Sequence, residues 1–346
     1  MKSAPVPAAP RHIVVSRTDK IGDLILSLPV FQTLKSSFPQ TKITALVSPY
    51  AQEIVRNHPA IDAVELVAPG EGFFSITGRL KKMEADVFLA LYPRPKLALA
   101  AWWAGIPSRV GTAFRWYAFL FNHRIKVHRS LCDRHEADYN LDLARVLNPE
   151  KIASKIIFPV SKKDRAFADD LLKEKGIPLN AQFVVVHPGH KGSALNWSPE
   201  RYSELIARLL AQKTRVVVTA GPEETALIAK IRGYWGPEAQ KNKPVLLIGE
   251  CSLPQLAAVY QRADVFLSGS TGTLHLAAAV ETPTVALFCP IPATTPTRWG
   301  PWGNRSTVLM PEGLTCPDCQ KGFCRAHDPM DAISVESVLK ALKFYT

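Results

Sequence analysis

The sequence predicts an α/β chain of two successive Rossmann-like halves, each a parallel sheet flanked by helices. Three observations carry this. Short β-branched runs alternate with helical stretches, as βαβ units require. That rhythm breaks near residues 155–165 and then restarts. A chain of 346 residues also exceeds what one ordinary core supports. The expected domains are therefore residues 1–160 and 161–346.

In the first half, residues 12–16 (HIVVS) read as a buried strand and 22–37 as the helix after it. Residues 43–47, 63–67 and 86–90 are further strands. The basic, aromatic stretch 107–129 is expected to be loops or short elements around a groove, and 134–147 a helix. In the second half, helices are expected at 166–175, 199–212, from 223, at 253–262 and at 272–280. Strands are expected at 183–187, 215–219, 245–248, 265–268 and 284–288. The last helix, 335–344, is free to pack on either half. Open α/β sheets bind ligands beyond the carboxyl ends of their strands, so two such halves place a site in the cleft between them.

Composition narrows the class. Hydrophobic residues make up 47% and charged residues 21%, as in a globular chain and unlike a disordered one. The opening MKSAPVPAAP has no apolar h-region and reads as a frayed leader. The longest apolar run, LALAAWWAG, is too short to cross a bilayer. Six cysteines, three of them isolated, do not form a secreted disulfide framework, so a cytosolic protein is expected.

Net charge is +12, and residues 1–160 carry +8 of it. Most of the excess lies in residues 79–134, where eleven Lys and Arg face three acids. Such a field attracts phosphates on an acidic substrate, a membrane surface or nucleic acid; a plain solvated surface is the simpler alternative. No nucleic-acid recognition motif accompanies it, so nucleic acid is set aside.

Three loops carry the chemistry. SRTDKIGD (16–23) follows the first strand and delivers Asp23 at a helix start, where it serves either as a catalytic carboxylate or as an N-cap. HPGHKGSALNW (187–197) is a Gly-rich turn before a Ser-Pro helix start. Its glycines let the backbone approach an anion that Lys191 would neutralise, although no GK[ST] closes it as a Walker loop. SGSTGTLH (268–275) is a tight strand-to-helix turn whose N–H groups and hydroxyls suit a pyrophosphate, or simply a packed His275. All three lie at carboxyl ends of strands.

Together with the AGPEE of 220–224, and FLSGSTGTLHLAAAVETPTVALF followed by RWGPWG, these loops resemble the ADP-heptose:lipopolysaccharide heptosyltransferases of glycosyltransferase family 9. The resemblance runs from about residue 12 to 340. It implies the GT-B fold, with an acceptor-binding first half and a nucleotide-sugar-binding second half. It further implies an inverting, single-displacement transfer of heptose from ADP-heptose to the inner core of lipopolysaccharide, without metal or cofactor. By position, Asp23 becomes the general base. His190, Lys191, Gly192, Ser193, Ser270, Thr271, Gly272 and Thr273 become the holders of the donor diphosphate. Glu223, with Glu224 beside it, becomes the ribose contact, and His275 and Asn196 touch the donor sugar or support the turns.

Two departures bear on the donor. Family members commonly carry a lysine where this chain has Leu195 and an acid where it has Ser270. Lys191 is expected to replace the missing cation, and a lysine restored at 195 to be neutral or better. Another nucleotide sugar on the same scaffold, or a degenerate protein that binds without turnover, are the rival readings.

The acceptor is expected to be an acidic, lipid-linked oligosaccharide met by Arg17, Lys20, Arg115, Arg124 and Lys126. Interleaved aromatics suit sugar faces and the headgroup boundary. A monomer held electrostatically at the inner membrane follows from the basic first half. Trp102 and Trp103 are alternatively core residues of that half. Finally, Cys316, Cys319, Cys324 and His327 have the C-x2-C-x4-C-x2-H spacing of a structural zinc knuckle, with reduced thiols as the simpler reading.

Overall fold

The computed structural model describes residues 6–190, 192, 194–312, 318 and 328–345. The chain forms two compact units, Met1–Pro159 and Val160–Thr346. In the first, the elements are β1 (His12–Arg17), α1 (Ile21–Ile25), α2 (Leu28–Ser37), β2 (Lys42–Val47), β3 (Ala63–Leu66) and α3 (Phe73–Lys82). They continue with β4 (Val87–Ala90), α4 (Pro95–Trp103), β5 (Ser108–Thr112), β6 (His123–Ile125) and α5 (Glu136–Ala144). The sheet is wholly parallel in the order β3-β2-β1-β4-β5-β6.

The second unit runs α6 (Lys162–Glu174), β7 (Val184–His187), α7 (Pro199–Ala211), β8 (Val216–Ala220), α8 (Thr225–Gly233), α9 (Pro237–Lys241) and β9 (Val245–Ile248). It continues with α10 (Leu253–Arg262), β10 (Val265–Gly269), α11 (Gly272–Ala279), β11 (Thr284–Leu287), α12 (Pro296–Trp299), β12 (Ser306–Leu309) and a C-terminal helix, Val335–Leu342. Its parallel sheet has the order β12-β11-β10-β7-β8-β9. Central strands β1, β7 and β10 are buried along their whole length, as expected of sheets covered on both faces.

One difference from the sequence reading, and three points where it left alternatives, have physical causes. The single helix expected over 22–37 is two, because Pro29 lacks the N–H that would bond Ile25 and its ring would crowd that carbonyl. The stretch 107–129 holds short elements: β5 and β6 extend the sheet, too short and too basic to show a strand pattern. Trp102 and Trp103 are exposed by 48% and 62%, since α4 turns Leu97, Ala98, Ala100 and Ala101 to the core instead. The C-terminal helix packs in its own unit, against α7 and β11, burying Val335, Val338, Leu339 and Leu342. Each such side chain contributes about 1.5–3 kcal/mol.

Candidate active site

In both sheets the chain reverses its direction of growth beside the first strand of the unit. In the first unit β1 lies between β2 and β4; in the second β7 lies between β8 and β10. The loops after β1 and β4, and after β7 and β10, therefore flank the two switch points, where ligands of such sheets bind. The SRTDKIGD, HPGH and SGSTGT segments are three of these four loops.

At the first switch point everything is organised by Arg17. Its guanidinium is buried at the end of β1. Nε donates to Asp19 Oδ1 at 2.7 Å and Nη2 to Asp23 Oδ1 at 2.6 Å. Nη1 donates to Glu136 Oε1 at 3.1 Å and Asn140 Oδ1 at 3.0 Å. Arg129 bonds the same Glu136 and Asn140 atoms at 2.9 Å each. Asn140 Nδ2 donates in turn to Leu26 O and Ser27 Oγ, the residues joining α1 to α2. The helix break created by Pro29 is thereby tied to the Arg17 cluster.

Asp23 is not an N-cap. Lys20 holds that position in α1, and Asp23 sits in the first turn with its carboxylate on Arg17. Its side chain keeps 17% exposure, and its ion pair with Arg17 runs through Oδ1. Asp19 behaves differently. Burial drives its pKa up to about 7, with the charge of Asp23 adding to the rise and Arg17 opposing it. Arg17 is held charged more firmly than a free arginine, the cost of its burial being outweighed by Asp19, Glu136 and Asp23. Arg17 is therefore not an acceptor contact, as the sequence suggested, because its donors are all turned inward. Lys20, Arg115, Arg124 and Lys126 are exposed. Arg124 and Lys126 lie on or beside the edge strand β6, three strands from β1 and hence about 14 Å across the sheet. Only a large acceptor reaches both them and Asp23.

At the second switch point the loops are locked together by close backbone approaches. A Cβ at Gly189 would lie 2.2 Å from the Glu224 carboxylate, and one at Gly269 would lie 2.6 Å from Asn196 Oδ1. Glu224 accepts from Gly221 N at 2.8 Å, so it supports the turn before α8, whereas Glu223 is exposed. Asn196 donates to Pro188 O at 2.7 Å and accepts from Tyr202 Oη at 2.7 Å. Asn196 is thus a turn support rather than a sugar contact, and His275 is buried behind the α11 start. Thr271 and Thr273 share a hydroxyl contact of 2.7 Å at that start, and Thr271 makes no side-chain cap. His190 Nδ1 accepts from Gly192 N at 3.1 Å.

Leu195 bears on an expectation. Its side chain is partly buried and packs against the core of the second unit, so a lysine there would displace apolar packing. Lys191 and Ser193, and Cys316, Cys319, Cys324 and His327, lie outside the described residues. Among the described residues no His, Cys, Asp and Glu cluster could hold a metal ion, and no helix is long and apolar enough to cross a membrane.

Sequence reasoning missed Glu136 and Asn140, which are 119 and 123 residues from Arg17 and belong to no motif. Asp19 was missed as well. A run of acid, cation and acid at 19, 20 and 23 was the available signal, but it does not say which acid is buried.

The model for glycosyltransferase family 9 (heptosyltransferase) matches residues 73–328. A Haemophilus influenzae protein assigned as a glycosyltransferase is 32% identical over 350 residues, covering 96% of each chain. Lipopolysaccharide heptosyltransferase 3 of Escherichia coli K12 is 27% identical over 305 residues, 81% of this chain and 82% of that one. The solved structure of Escherichia coli ADP-heptose LPS heptosyltransferase II superposes with a TM-score of 0.78 at 20% identity, over 97% of this chain and 98% of that one. That likeness shows the fold, two parallel six-stranded sheets of the GT-B type. With the family match spanning most of its length, the chain belongs to glycosyltransferase family 9 and is a glycosyltransferase of the heptosyltransferase kind.

Proposed function

We propose that the protein transfers heptose from ADP-heptose to an acidic sugar of the lipopolysaccharide inner core, by an inverting displacement that needs no metal. The observation that carries this is Asp23 itself. One carboxylate oxygen is fixed by Arg17 and the other is left for an incoming hydroxyl. The acceptor O–H gives its proton to Asp23 Oδ2 as its oxygen attacks the anomeric carbon, and the bond to the nucleoside diphosphate breaks with its electron pair leaving on the β-phosphate oxygen. Holding the base in one orientation is what a single displacement requires.

The departing charge is met in the second unit by the α11 N-terminus, the hydroxyls of Thr271 and Thr273, and the loop of His190, Lys191, Gly192 and Ser193. Ser270 lies in the same turn, and Glu223 is the exposed acid available to the ribose. The first unit takes the acceptor, its exposed cations and aromatic side chains favour work at the inner membrane surface from the cytoplasmic side, and the protein acts as a monomer. An apolar groove of about 580 Å³, lined by Phe73, Leu99, Trp102, Trp116, Tyr117 and Phe119, lies on this unit.

The test is a purified chain incubated with a panel of nucleotide sugars. ADP-heptose should raise the melting temperature most and be consumed with acceptor, giving product of inverted anomeric configuration. Asp23→Asn should retain donor binding and lose at least about a hundredfold in turnover. A second reading, binding without turnover, is favoured by Leu195 and Ser270, where relatives commonly place a lysine and an acid. Donor-induced stabilisation with no product from any acceptor would establish it instead.

A further inference from the structure

The groove of about 580 Å³ on the first unit has the volume of a small-molecule site and two apolar walls. One wall is α4. That helix buries Leu97, Ala98, Ala100 and Ala101, which leaves Lys96, Leu99 and Trp102, spaced by three, in an exposed line on its outer side. The other wall is the connection from β5 to β6, where Trp116 and Phe119 are exposed while Tyr117 and Leu120 are buried. The rings brace one another. Phe73 and Trp102 each meet Trp103 edge-on, at 6.1 and 6.0 Å between centroids, and Trp116 meets Tyr117 at 5.3 Å. The Tyr117 hydroxyl is committed to Pro93 O at 2.6 Å, so it is the ring that the groove receives. Contiguous apolar exposure of this kind marks a surface with an occupant.

The chemistry of the lining selects that occupant. Among the described residues that line the groove, Lys96 is the only charged one, and none carries a carboxylate, amide or aliphatic hydroxyl. A peptide would bring backbone N–H groups that these side chains leave unbonded, whereas a hydrocarbon chain brings none. Lys96 lies in the first turn of α4 and Trp102 in the last, so the cation stands at one end of the helical wall. Its Nζ donates to Glu71 O at 2.9 Å and has further N–H groups for an anion. Arg94 and Arg115, both exposed, directly precede the two walls in the chain. Residues 87–131, which contain both walls, carry seven Lys and Arg and no Asp or Glu. An apolar slot with a cation at its end, set in a field of one sign, is complementary to a hydrocarbon chain with an anionic head.

We infer that this groove seats one acyl chain of an anionic bilayer phospholipid, with the lipid's phosphate at Lys96. The chain lies between the α4 stripe and the Trp116–Phe119 wall. Phe74 and Trp103, exposed beside Phe73, then rest at the level of the headgroups, where amphipathic rings are favoured. A lipid held in this way fixes which face of the first unit lies on the membrane, which diffuse attraction between charges does not. The assignment rests on the first unit working at a membrane surface, and it adds a discrete ligand to that surface.

The experiment is calorimetry on the full chain with hexyl, octyl, decyl and dodecyl phosphate, each below its micelle concentration, and with decyl maltoside for comparison. Affinity should rise about fourfold per added methylene, the ratio that taking one CH2 out of water gives, until the groove is full. Decyl phosphate should bind more tightly than decyl maltoside. Trp116→Ala with Phe119→Ala alters exposed side chains, so the melting temperature should stay near the parent's while affinity for decyl phosphate falls about tenfold or more. Lys96→Gln should abolish the preference for phosphate over maltoside and keep the dependence on chain length. Affinity that ignores chain length overturns the proposal, and so does decyl phosphate binding that the paired aromatic substitution leaves unchanged. Equal binding of decyl phosphate and decyl maltoside to the parent sinks the lipid assignment in favour of an uncharged apolar segment of a partner protein. Chain-length-dependent binding in a protein that transfers no sugar supports the groove and sinks the proposed transfer; sugar transfer by a chain that binds no alkyl phosphate does the reverse.

Discussion

Arg17 Nη2 lies 2.6 Å from Asp23 Oδ1, and the same guanidinium holds Asp19 at 2.7 Å. Arg17 is shared among Asp19, Asp23 and Glu136, so one guanidinium sets the orientation of three carboxylates.

Removing the arginine should therefore be costly in two ways. Arg17→Met leaves Asp19 and Asp23 side by side without their shared cation, and frees Asn140 Oδ1 from one of its two donors. Loss of one partner from a buried ion pair costs about 3–5 kcal/mol. Denaturant unfolding should show a loss of that order, together with reduced turnover. A variant as stable as the parent would mean that Arg129 alone holds Glu136 and Asn140, and that the cluster is not organised by Arg17.

Asp19 should give the protein a pH signature. Its carboxyl titrates near 7 in the folded chain against an ordinary value of 3.8. Between those values the folded state keeps a proton that the unfolded state has released. Stability from this group is thus full below about pH 4, falls as pH rises towards 7, and is level above it. Asp19→Asn should flatten that fall in melting temperature between pH 5 and 7.5. Under the proposed mechanism, kcat/KM should also change through pH 7 in the parent, as Asp19 ionises beside Arg17, and lose that limb in the variant. Identical slopes in the two proteins would remove Asp19 from both accounts.

The strands that position the site were legible because buried parallel strands are continuous apolar runs. VVVH at 184–187 and VFLSG at 265–269 announce themselves without their neighbours. The loops after them could be placed for the same reason. What was not legible depends on contacts made across the fold. Arg17 reads as a free cation beside a strand, and only the arrival of Glu136 and Asn140 from α5 turns it inward. Leu195 reads as a gap in a ligand-binding pattern, and only the second unit's core shows that it has a partner elsewhere. For Trp102 and Trp103 the sequence left surface and core both open. Their helix satisfies its buried face with alanines and leucine, so the largest side chains are left outside.

Leu195→Lys should destabilise the chain, contrary to what the loop pattern alone implies. The leucine is partly buried against the core, and exchanging it for a side chain whose head must reach water forfeits about 1–2 kcal/mol of packing. The melting temperature should fall by a few degrees, and affinity for ADP, read by calorimetry, should not improve. A variant of parental stability that binds ADP more tightly would show that the loop re-packs to present position 195 to the donor.

The acceptor surface is the last test, because charge and apolar exposure there make separable demands. Arg115, Arg124 and Lys126 are exposed and lie on or around β5 and β6. Trp116 and Phe119, exposed by 80% and 65%, sit in the same connection. Reversing the three charges to Glu should raise the acceptor's KM and weaken binding to anionic vesicles while donor affinity stays as it is. That effect should fade with salt, since exposed charges are screened over roughly 8–10 Å at physiological ionic strength. Trp116→Ser with Phe119→Ser should also weaken vesicle binding, but by an amount that salt does not diminish, because apolar transfer into the headgroup boundary is not screened. Flotation of each variant with anionic vesicles at low and high salt separates the two contributions. If the charge-reversed chain floats with vesicles and uses acceptor like the parent at low salt, these side chains are an ordinary solvated surface, and the acceptor site must be sought nearer Asp23.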